Sequence, residues 1–134
     1  MSCPLITIAP EAELWEARAT MRAHHIHHLL VEDRGRIVGI MSDRDIAHRL
    51  APAGREMLSR HEEEALRRRV LRVATFRMVT IPASALIEEA AAMLMEREVS
   101  ALPVRHEDGR VIGIVTSVDL LRGLLACVLP AHAA

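Results

Sequence analysis

The sequence predicts an α/β protein made of two tandem β-α-β-β-α copies, and three observations support this prediction. The chain repeats itself: residues 7–31 align with residues 80–104, and residues 35–45 align with residues 109–119 after one inserted residue. Within each copy, the apolar residues change from helical to strand-like spacing in the same order. Hydrophobic residues make up 51% of the 134 residues but include only one Phe and one Trp, so the predicted core is aliphatic.

Each copy opens with a short extended segment that is followed by an amphipathic helix. The extended segments are Thr7-Ile8 and Thr80-Ile81. In the first copy Leu14, Ala17 and Met21 follow at spacings of three and four residues, which predicts a helix with one apolar face. The matching residues of the second copy are Leu86, Ala90 and Leu94.

A β-hairpin is predicted after each of these helices. In the first copy an apolar strand covers Ile26–Val31, and a second strand covers Arg36–Met41. The intervening residues Glu32–Gly35 contain Asp and Gly, which supply the backbone geometry of a tight hairpin turn. The matching segments of the second copy are Val99–Val104, His106–Gly109 and Arg110–Val115.

Each hairpin ends in a Ser/Thr-x-x-Asp motif, Ser42–Asp45 in the first copy and Thr116–Asp119 in the second. A Ser or Thr oxygen at this place can cap the N-terminus of a helix. An Asp three residues later lies on the same side of the helix start. The motif therefore predicts a final helix in each copy, with Ser42 and Thr116 at its N-terminus.

The segment 51–74 is predicted to be a helical linker between the first copy, residues 1–50, and the second copy, residues 75–134. Glu63 and Glu64 precede Arg67 and Arg68 by four residues, a spacing at which opposite charges pair along a helix.

The run Arg67–Arg69 has two interpretations. It is either a basic patch for nucleic acid or a solvated helix face that Glu62–Glu64 balances. The second interpretation is favoured because the chain offers no aromatic platforms for bases and its net charge is −1. We therefore do not expect nucleic acid as a partner.

Two heptapeptides, Gly39–Asp45 and Gly113–Asp119, resemble the signature of the cystathionine β-synthase-type (CBS) domain: Gly, a short apolar run, Ser or Thr, two variable residues and Asp. His28–Val31 and Ala101–Val104 resemble the central strand of that domain. Leu30 departs from the family pattern, which usually has Pro at this place. The two motifs lie in phase, and the resemblance covers nearly the whole chain.

This resemblance implies a regulatory module in which two copies pack about a pseudo-two-fold axis and leave two clefts between them. Family members bind AMP, ADP, ATP or S-adenosylmethionine in such clefts. The resemblance assigns the ribose to Ser42, Asp45, Thr116 and Asp119. It assigns the surroundings of the adenine and phosphates to Ile8, Ile26, His27, His28, Ile81, Val99, Ser100 and Ala101.

The chemistry of the Ser/Thr-x-x-Asp motif allows two roles. An ionised Asp can accept hydrogen bonds from both ribose hydroxyls, and the free N–H groups of the helix start suit a phosphate. Alternatively, Ser42 and Thr116 only cap their helices, and Asp45 and Asp119 only complement the positive end of the helix dipole.

Three interpretations compete for the histidine-rich segment His24–His28. The histidines are solvated at a helix C-terminus, or His27 and His28 face a phosphate, or His24 and His28 bind a metal. A strand that starts at Ile26 would place His27 and His28 on opposite faces, which argues against a metal site. We therefore expect no metal.

The sequence contains no Gly-rich nucleotide loop, no nucleophile elbow and no zinc-ligand spacing, so no catalytic residue is predicted. We expect a non-catalytic cytoplasmic module that needs no cofactor, does not enter a membrane and binds an adenine nucleotide as its regulatory ligand. A homodimer and an unidentified regulated protein are the expected partners. The alternatives are a ligand-free interaction or assembly module and an S-adenosylmethionine sensor.

Overall fold

The computed structural model of the chain describes residues 5–50 and 58–123. The chain divides into two compact units, one formed by Ile6–Met78 and the other by Val79 onward together with Leu5. Both units mix α-helices with a three-stranded sheet, so the predicted α/β tandem fold is confirmed.

In the first unit the elements follow the predicted β-α-β-β-α order, and a third helix and a short 3₁₀ turn come after them. They are β1 (Thr7–Ile8), α1 (Leu14–His24), β2 (His28–Asp33), β3 (Arg36–Ser42), α2 (Asp43–Leu50), α3 (Leu58–Leu66) and the 3₁₀ turn Val70–Arg72.

The sheet of the first unit has the order β1-β2-β3, with β1 parallel and β3 antiparallel to β2. The β2–β3 turn consists of Arg34 and Gly35, and both residues have positive φ angles, of 52° and 78°. This is the backbone geometry of a two-residue hairpin whose twist matches that of the strands. The core beneath the sheet contains Leu14, Ala17, Met21, Leu29, Val31, Met41, Ile46 and Val70.

The second unit repeats this arrangement. Its elements are β4 (Ile81–Pro82), α4 (Ile87–Arg97), β5 (Ala101–Arg105), β6 (Val111–Thr116) and α5, which begins at residue 117 and is described as far as residue 123. Strand β4 is parallel and β6 antiparallel to β5, as in the first unit. The core is smaller and contains Ile81, Ala90, Leu94, Leu102 and Val104.

The central strands begin two residues later than predicted, at His28 and Ala101 rather than at Ile26 and Val99. The preceding residues end a helix instead. His25 and Glu98 both adopt the left-handed conformation, with φ of 54° and 53°. The N–H groups of Ile26 and Val99 then bond back to carbonyls in the last turns of α1 and α4. This Schellman-type ending delays each strand.

Helix α3 ends at Leu66, so the predicted pairing of Glu63 and Glu64 with Arg67 and Arg68 along one helix is wrong. After Leu66 the backbone passes next to the start of α1. There the Arg68 carbonyl accepts a hydrogen bond of 2.9 Å from the Leu14 N–H. The Arg68 carbonyl is therefore bonded to α1, and α3 is not extended by a further turn.

The residues after α3 also belong to the first unit. Val70 is fully buried in its core. Thr75 exchanges backbone hydrogen bonds of 2.9 and 2.8 Å with Ile40 of β3. The chain therefore stays on the first unit as far as Met78.

None of the helices in the described ranges combines the length and the apolar character that crossing a bilayer requires.

Candidate functional site

The two Ser/Thr-x-x-Asp motifs form reciprocal hydrogen bonds at the starts of α2 and α5. In the first, the Ser42 backbone N–H donates to Oδ2 of Asp45 at 2.8 Å, and the Asp45 N–H donates to Ser42 Oγ at 3.3 Å. In the second, the corresponding distances between Thr116 and Asp119 are 2.9 and 3.1 Å. Both motifs are capping boxes, with Asp in the place that Glu commonly takes.

The capping role leaves these carboxylates able to bind a ligand. A carboxylate has about four lone-pair positions on its two oxygens. In Asp45 and Asp119 the hydrogen bond to the cap uses Oδ2. Both side chains belong to half-buried residues. The motif can therefore cap its helix and still accept ribose hydroxyls.

Backbone hydrogen bonds tie each helix start to the beginning of the central strand. The Asp43 N–H donates to the His27 carbonyl at 3.0 Å, and the Ser117 N–H donates to the Ser100 carbonyl at 3.0 Å. The strand register places His28 opposite Ser42. The structure thus brings His27 and His28 beside the first motif.

The backbone around the second motif is arranged in the same way, because Ala101 pairs with Thr116 as His28 pairs with Ser42. Ser100 and Ala101 therefore occupy the places of His27 and His28. Since Ser100 and Ala101 carry no charge, the two motifs have chemically different neighbours.

The four apolar residues that are predicted to surround an adenine differ in their exposure to solvent. Ile81 is 3% exposed and belongs to the core of the second unit. Ile8 and Ile26 are half-buried and pack against the core of the first unit. Val99 is 39% exposed. Ile81 therefore has a structural role in the core. Of the four residues, Val99 has the most exposed side chain and so offers the largest apolar surface to a ligand.

His27 and His28 differ in their electrostatic surroundings. His27 is exposed, and its Nδ1 lies 2.8 Å from Oδ2 of Asp43. His28 is half-buried, and this burial lowers its pKa below the ordinary value of 6.5 despite the opposing attraction of Asp43 and Asp45. The neighbouring Arg44 and His27 lower it further.

An open cleft of about 670 Å³ lies between α1 and α2 within the first unit. We call it the basic cleft, because three arginines and two histidines line it and Asp43 is its one acidic residue. Its volume is within the range of small-molecule pockets. The lining residues are Arg18, Met21, Arg22, His25, Ile26, His27, Asp43, Arg44, Ile46, Ala47 and Leu50.

The segment His24–His28 forms no metal cluster in the structure. His24 ends α1, and its Nδ1 lies 3.0 Å from the Thr20 carbonyl. Across residues 5–50 and 58–123, no three His, Cys, Asp or Glu side chains are grouped so that they could hold a metal ion.

Sequence reasoning did not identify Arg18, Arg22, Asp43 and Arg44 as neighbours of the first motif. A local signal existed for Asp43 and Arg44, which are the two variable residues of that motif. No local signal existed for Arg18 and Arg22, because they reach the cleft from a helix about 20 residues earlier in the chain.

Comparison with known proteins identifies the family. The family model of the CBS domain matches residues 1–52 and 70–126. The chain belongs to the CBS domain family. A CBS domain-containing protein of Dictyostelium discoideum is 34% identical over 134 residues, which cover 97% of this chain and 91% of that protein.

Other relatives contain the CBS pair as part of a longer protein. The chain is 31% identical to the L-aspartate semialdehyde sulfurtransferase of Methanocaldococcus jannaschii but spans only 22% of its length. It is likewise 31% identical to the gamma-3 subunit of bovine 5'-AMP-activated protein kinase and spans 24% of it.

Solved CBS structures share the fold. The CBS domain pair of protein MJ0100, in complex with 5'-methylthioadenosine and S-adenosyl-L-methionine, is 26% identical, with a TM-score of 0.76. That match covers 95% of this chain and 93% of the other. The cytosolic domain of the Mg²⁺ channel MgtE, in complex with ATP, is 25% identical, with a TM-score of 0.66 over 89% of this chain and 44% of the other.

Proposed function

We propose that this CBS pair is a non-catalytic regulatory module that binds an adenine nucleotide, AMP, ADP or ATP, and signals its occupancy to a partner protein. The observation that carries the proposal is the repeated capping box. In each unit an Asp carboxylate is held at a helix start, directly beside the first residues of the central strand. Two such carboxylates provide two ribose acceptors in equivalent places.

Each capping box also provides a polar environment for phosphate. The N-termini of α2 and α5 carry the positive end of a helix dipole. At α2, Arg44 and His27 add cationic or hydrogen-bonding groups in the same cleft. The proposed residues are Ser42, Asp45, Thr116 and Asp119 for the ribose, and Ile8, Ile26, His27, His28, Ile81, Val99, Ser100 and Ala101 around the base and phosphates.

The two sites are proposed to prefer different ligands. The first has Arg44 and two histidines near its helix start, which favours a more highly charged nucleotide such as ATP. The second has Ser100, Ala101 and Val118 at the corresponding places, which favours a ligand with less charge. An S-adenosylmethionine sensor is therefore the second candidate, and the MJ0100 complex supports it for this neutral site.

Calorimetric titration of the purified chain with ATP, AMP and S-adenosylmethionine tests the proposal. We expect two binding events, the stronger ATP site being weakened by about 10-fold in Asp45→Asn and the other site by about 10-fold in Asp119→Asn. Arg60→Glu, a change to an exposed residue of α3 outside both motifs, is the matched control. If no adenine compound binds at millimolar concentration, the motifs are only caps, and a ligand-free assembly module becomes the better account.

The remaining parts of the proposal concern the whole protein. We propose that the chain acts in the cytoplasm as a homodimer, has no catalytic activity and needs no resident cofactor. The kinase-subunit relative supports a role in which a CBS pair belongs to a larger regulated assembly. Affinity capture with and without saturating ATP would identify a partner whose association depends on the nucleotide.

A further inference from the structure

Four exposed arginines follow α3, and we call them the arginine segment. They are Arg67, Arg68, Arg69 and Arg72. Because α3 ends at Leu66, their pairing with Glu63 and Glu64 along one helix is absent, and residues 65–76 contain no acidic residue. Within residues 5–50 and 58–123, none of the four arginines forms an ion pair. The charge of the arginine segment is therefore not neutralised by the rest of the described chain.

Backbone contacts hold the arginine segment beside the start of α1. The Arg68 carbonyl accepts the Leu14 N–H at 2.9 Å, and Arg69 forms an antiparallel bridge with Glu13. Val70, which lies between the arginines, is fully buried in the core of the first unit. The backbone of the segment is thus anchored to the folded unit, while the arginine side chains are exposed on its surface.

Two exposed apolar side chains accompany the arginines. Trp15, the only Trp of the chain, is 50% exposed, and Leu71, within the arginine segment, is 41% exposed. The Trp15 indole N–H donates to Oε2 of Glu13 at 2.6 Å, so the indole lies beside the residue that pairs with Arg69. Trp and Arg are among the residue types that contribute most to binding at protein–protein interfaces.

This surface is separate from the proposed nucleotide site. Arg22 and His25, at the C-terminal end of α1, line the basic cleft, whereas the arginine segment lies against the N-terminal end of the same helix. A helix as long as α1 separates its two ends by about 15 Å. Helix α1 therefore connects the two surfaces and keeps them distinct.

The carboxylates near Trp15 indicate which class of acidic partner fits. Glu11 is exposed just before α1, and Glu13 and Glu16 form the capping box at its start. A nucleic acid carries a negative charge at every nucleotide and stacks its bases on aromatic rings, but these carboxylates repel a phosphate backbone that approaches Trp15. A peptide can place its carboxylates on the arginines and an apolar side chain on the indole. The surface therefore favours an acidic peptide segment.

We propose that the arginine segment, together with Trp15 and Leu71, is the surface on which the regulated partner docks, through a segment rich in Asp and Glu that also carries an apolar side chain. This inference rests on the regulatory role in the proposed function and adds the location and chemistry of the partner contact. An Arg guanidinium can form two parallel hydrogen bonds with one carboxylate. The apolar contacts stabilise the complex by burying surface that is otherwise hydrated.

Selection of a random, Trp-free peptide library on the nucleotide-free protein tests the chemistry of the partner. We expect the enriched peptides to combine several Asp or Glu residues with Leu, Ile or Phe. Because Trp15 is the only Trp of the chain, its fluorescence reports on this surface, and we expect the enriched peptides to change its emission. Anisotropy of a labelled enriched peptide then measures the affinity.

Charge reversal tests whether the arginines bind the peptide. We expect Arg68→Glu with Arg69→Glu and, independently, Arg67→Glu with Arg72→Glu to weaken binding of the enriched peptide at least about 10-fold. All four side chains are exposed, so we expect both variants to fold, and circular dichroism and thermal melting check this. Added salt should also weaken the wild-type complex, because it screens exposed charges.

Two control variants should bind the peptide as the wild type does. Arg36→Glu with Arg97→Glu makes the same change in net charge at exposed positions of β3 and α4. Asp45→Asn with Asp119→Asn changes the proposed ribose acceptors and leaves the arginine segment intact. Peptide binding and nucleotide binding are thus measured on separate variants, so either proposal can fail without the other.

Several results would overturn the inference. Selection without an excess of Asp and Glu, or equal binding of the enriched peptide by wild type and both charge-reversed variants, would mean that the arginines are only a solvated surface. Equal weakening by the control Arg36→Glu with Arg97→Glu would mean that net charge alone attracts the peptide. If a single-stranded oligonucleotide or a phosphatidylserine vesicle binds more tightly than the peptide and depends on the same arginines, the surface belongs to nucleic acid or to a membrane instead.

Discussion

At the scale of single residues, Asp45 and Asp119 each cap a helix and are each proposed to accept ribose hydroxyls, and substitution to Ala would remove both roles together. The carboxylate of Asp45 accepts the Ser42 N–H at 2.8 Å, and that of Asp119 accepts the Thr116 N–H at 2.9 Å. An Asn side chain retains an oxygen that can accept these hydrogen bonds, but it has no charge. Comparing Asn with Ala therefore separates the cap from the ribose acceptor.

For Asp119, we expect Asn to leave the stability nearly unchanged and to weaken nucleotide binding at one site by about 10-fold, since bonds to charged groups are stronger by about 1 kcal/mol or more. Ala should weaken binding by roughly 10- to 150-fold and also cost about 1 kcal/mol of stability, because the Thr116 N–H loses its partner. Calorimetry and urea unfolding measure the two effects. Equal binding by wild type and Asn would reduce Asp119 to a cap.

His28 gives a pH dependence whose sign follows from its burial. Because its pKa is lowered in the folded chain, the unfolded chain binds the proton more readily. Stability is thus undiminished above the ordinary pKa of 6.5 and falls as the pH drops below it. We expect urea midpoints of the wild type to decrease from pH 7.5 to 5.5 and those of His28→Gln to decrease less. A parallel decrease in both proteins would contradict this assignment.

At the scale of elements, the first unit depends on a close approach between β3 and the segment that leads to the second unit. A Cβ on Gly39 would lie 2.9 Å from the Thr75 carbonyl oxygen and 3.1 Å from Cδ1 of Phe76. The same segment makes two backbone hydrogen bonds to Ile40. Any side chain at Gly39 must therefore push this paired segment away from the strand.

We expect Gly39→Ala to destabilise the protein by about 1–3 kcal/mol, the usual range for overpacking. The matched control is Gly123→Ala in α5, where an added Cβ meets nothing within 4 Å and Ala favours a helix. Chemical denaturation compares the two. Because the atom closest to the added Cβ belongs to the Thr75 backbone, we expect Phe76→Ala not to restore the stability of Gly39→Ala. Full restoration of stability would show that only the Phe76 ring causes the destabilisation.

At the scale of the whole molecule, the two proposed nucleotide sites predict that ligand stabilises the folded protein. Binding to the folded state alone contributes about 2.7 kcal/mol per site at a ligand concentration of 100 times Kd. We expect ATP to raise the melting temperature by several degrees, and this rise to be about half as large in the double variant Asp45→Asn with Asp119→Asn, because a site weakened 10-fold contributes about 1.4 kcal/mol at the same ligand concentration. Differential scanning fluorimetry measures the shift. A rise in the double variant as large as that of the wild type would place the nucleotide elsewhere on the protein.

The sequence alone was sufficient for the repeat, the order of elements in each copy, the hairpin positions and the capped helix starts. The repeat is read by comparing two segments of the sequence, and each of the other features depends on residues within a few positions of one another. The Arg34-Gly35 turn and the hydrogen bonds of the Ser42–Asp45 motif are examples, because the residues that form each of them lie at most three positions apart in the sequence.

Only the tertiary structure decided where the chain between the copies goes and which side chains gather at the first motif. Helical spacing predicted that Glu63 would pair with Arg67, but a hydrogen bond from Leu14, far away in sequence, ends the helix sooner. Arg22 and Arg44 likewise meet in one cleft only because α1 packs against α2. The sequence of a short segment is enough to predict the hydrogen bonds within that segment. Packing between two distant segments depends on the surfaces of both segments, which a local sequence pattern does not contain.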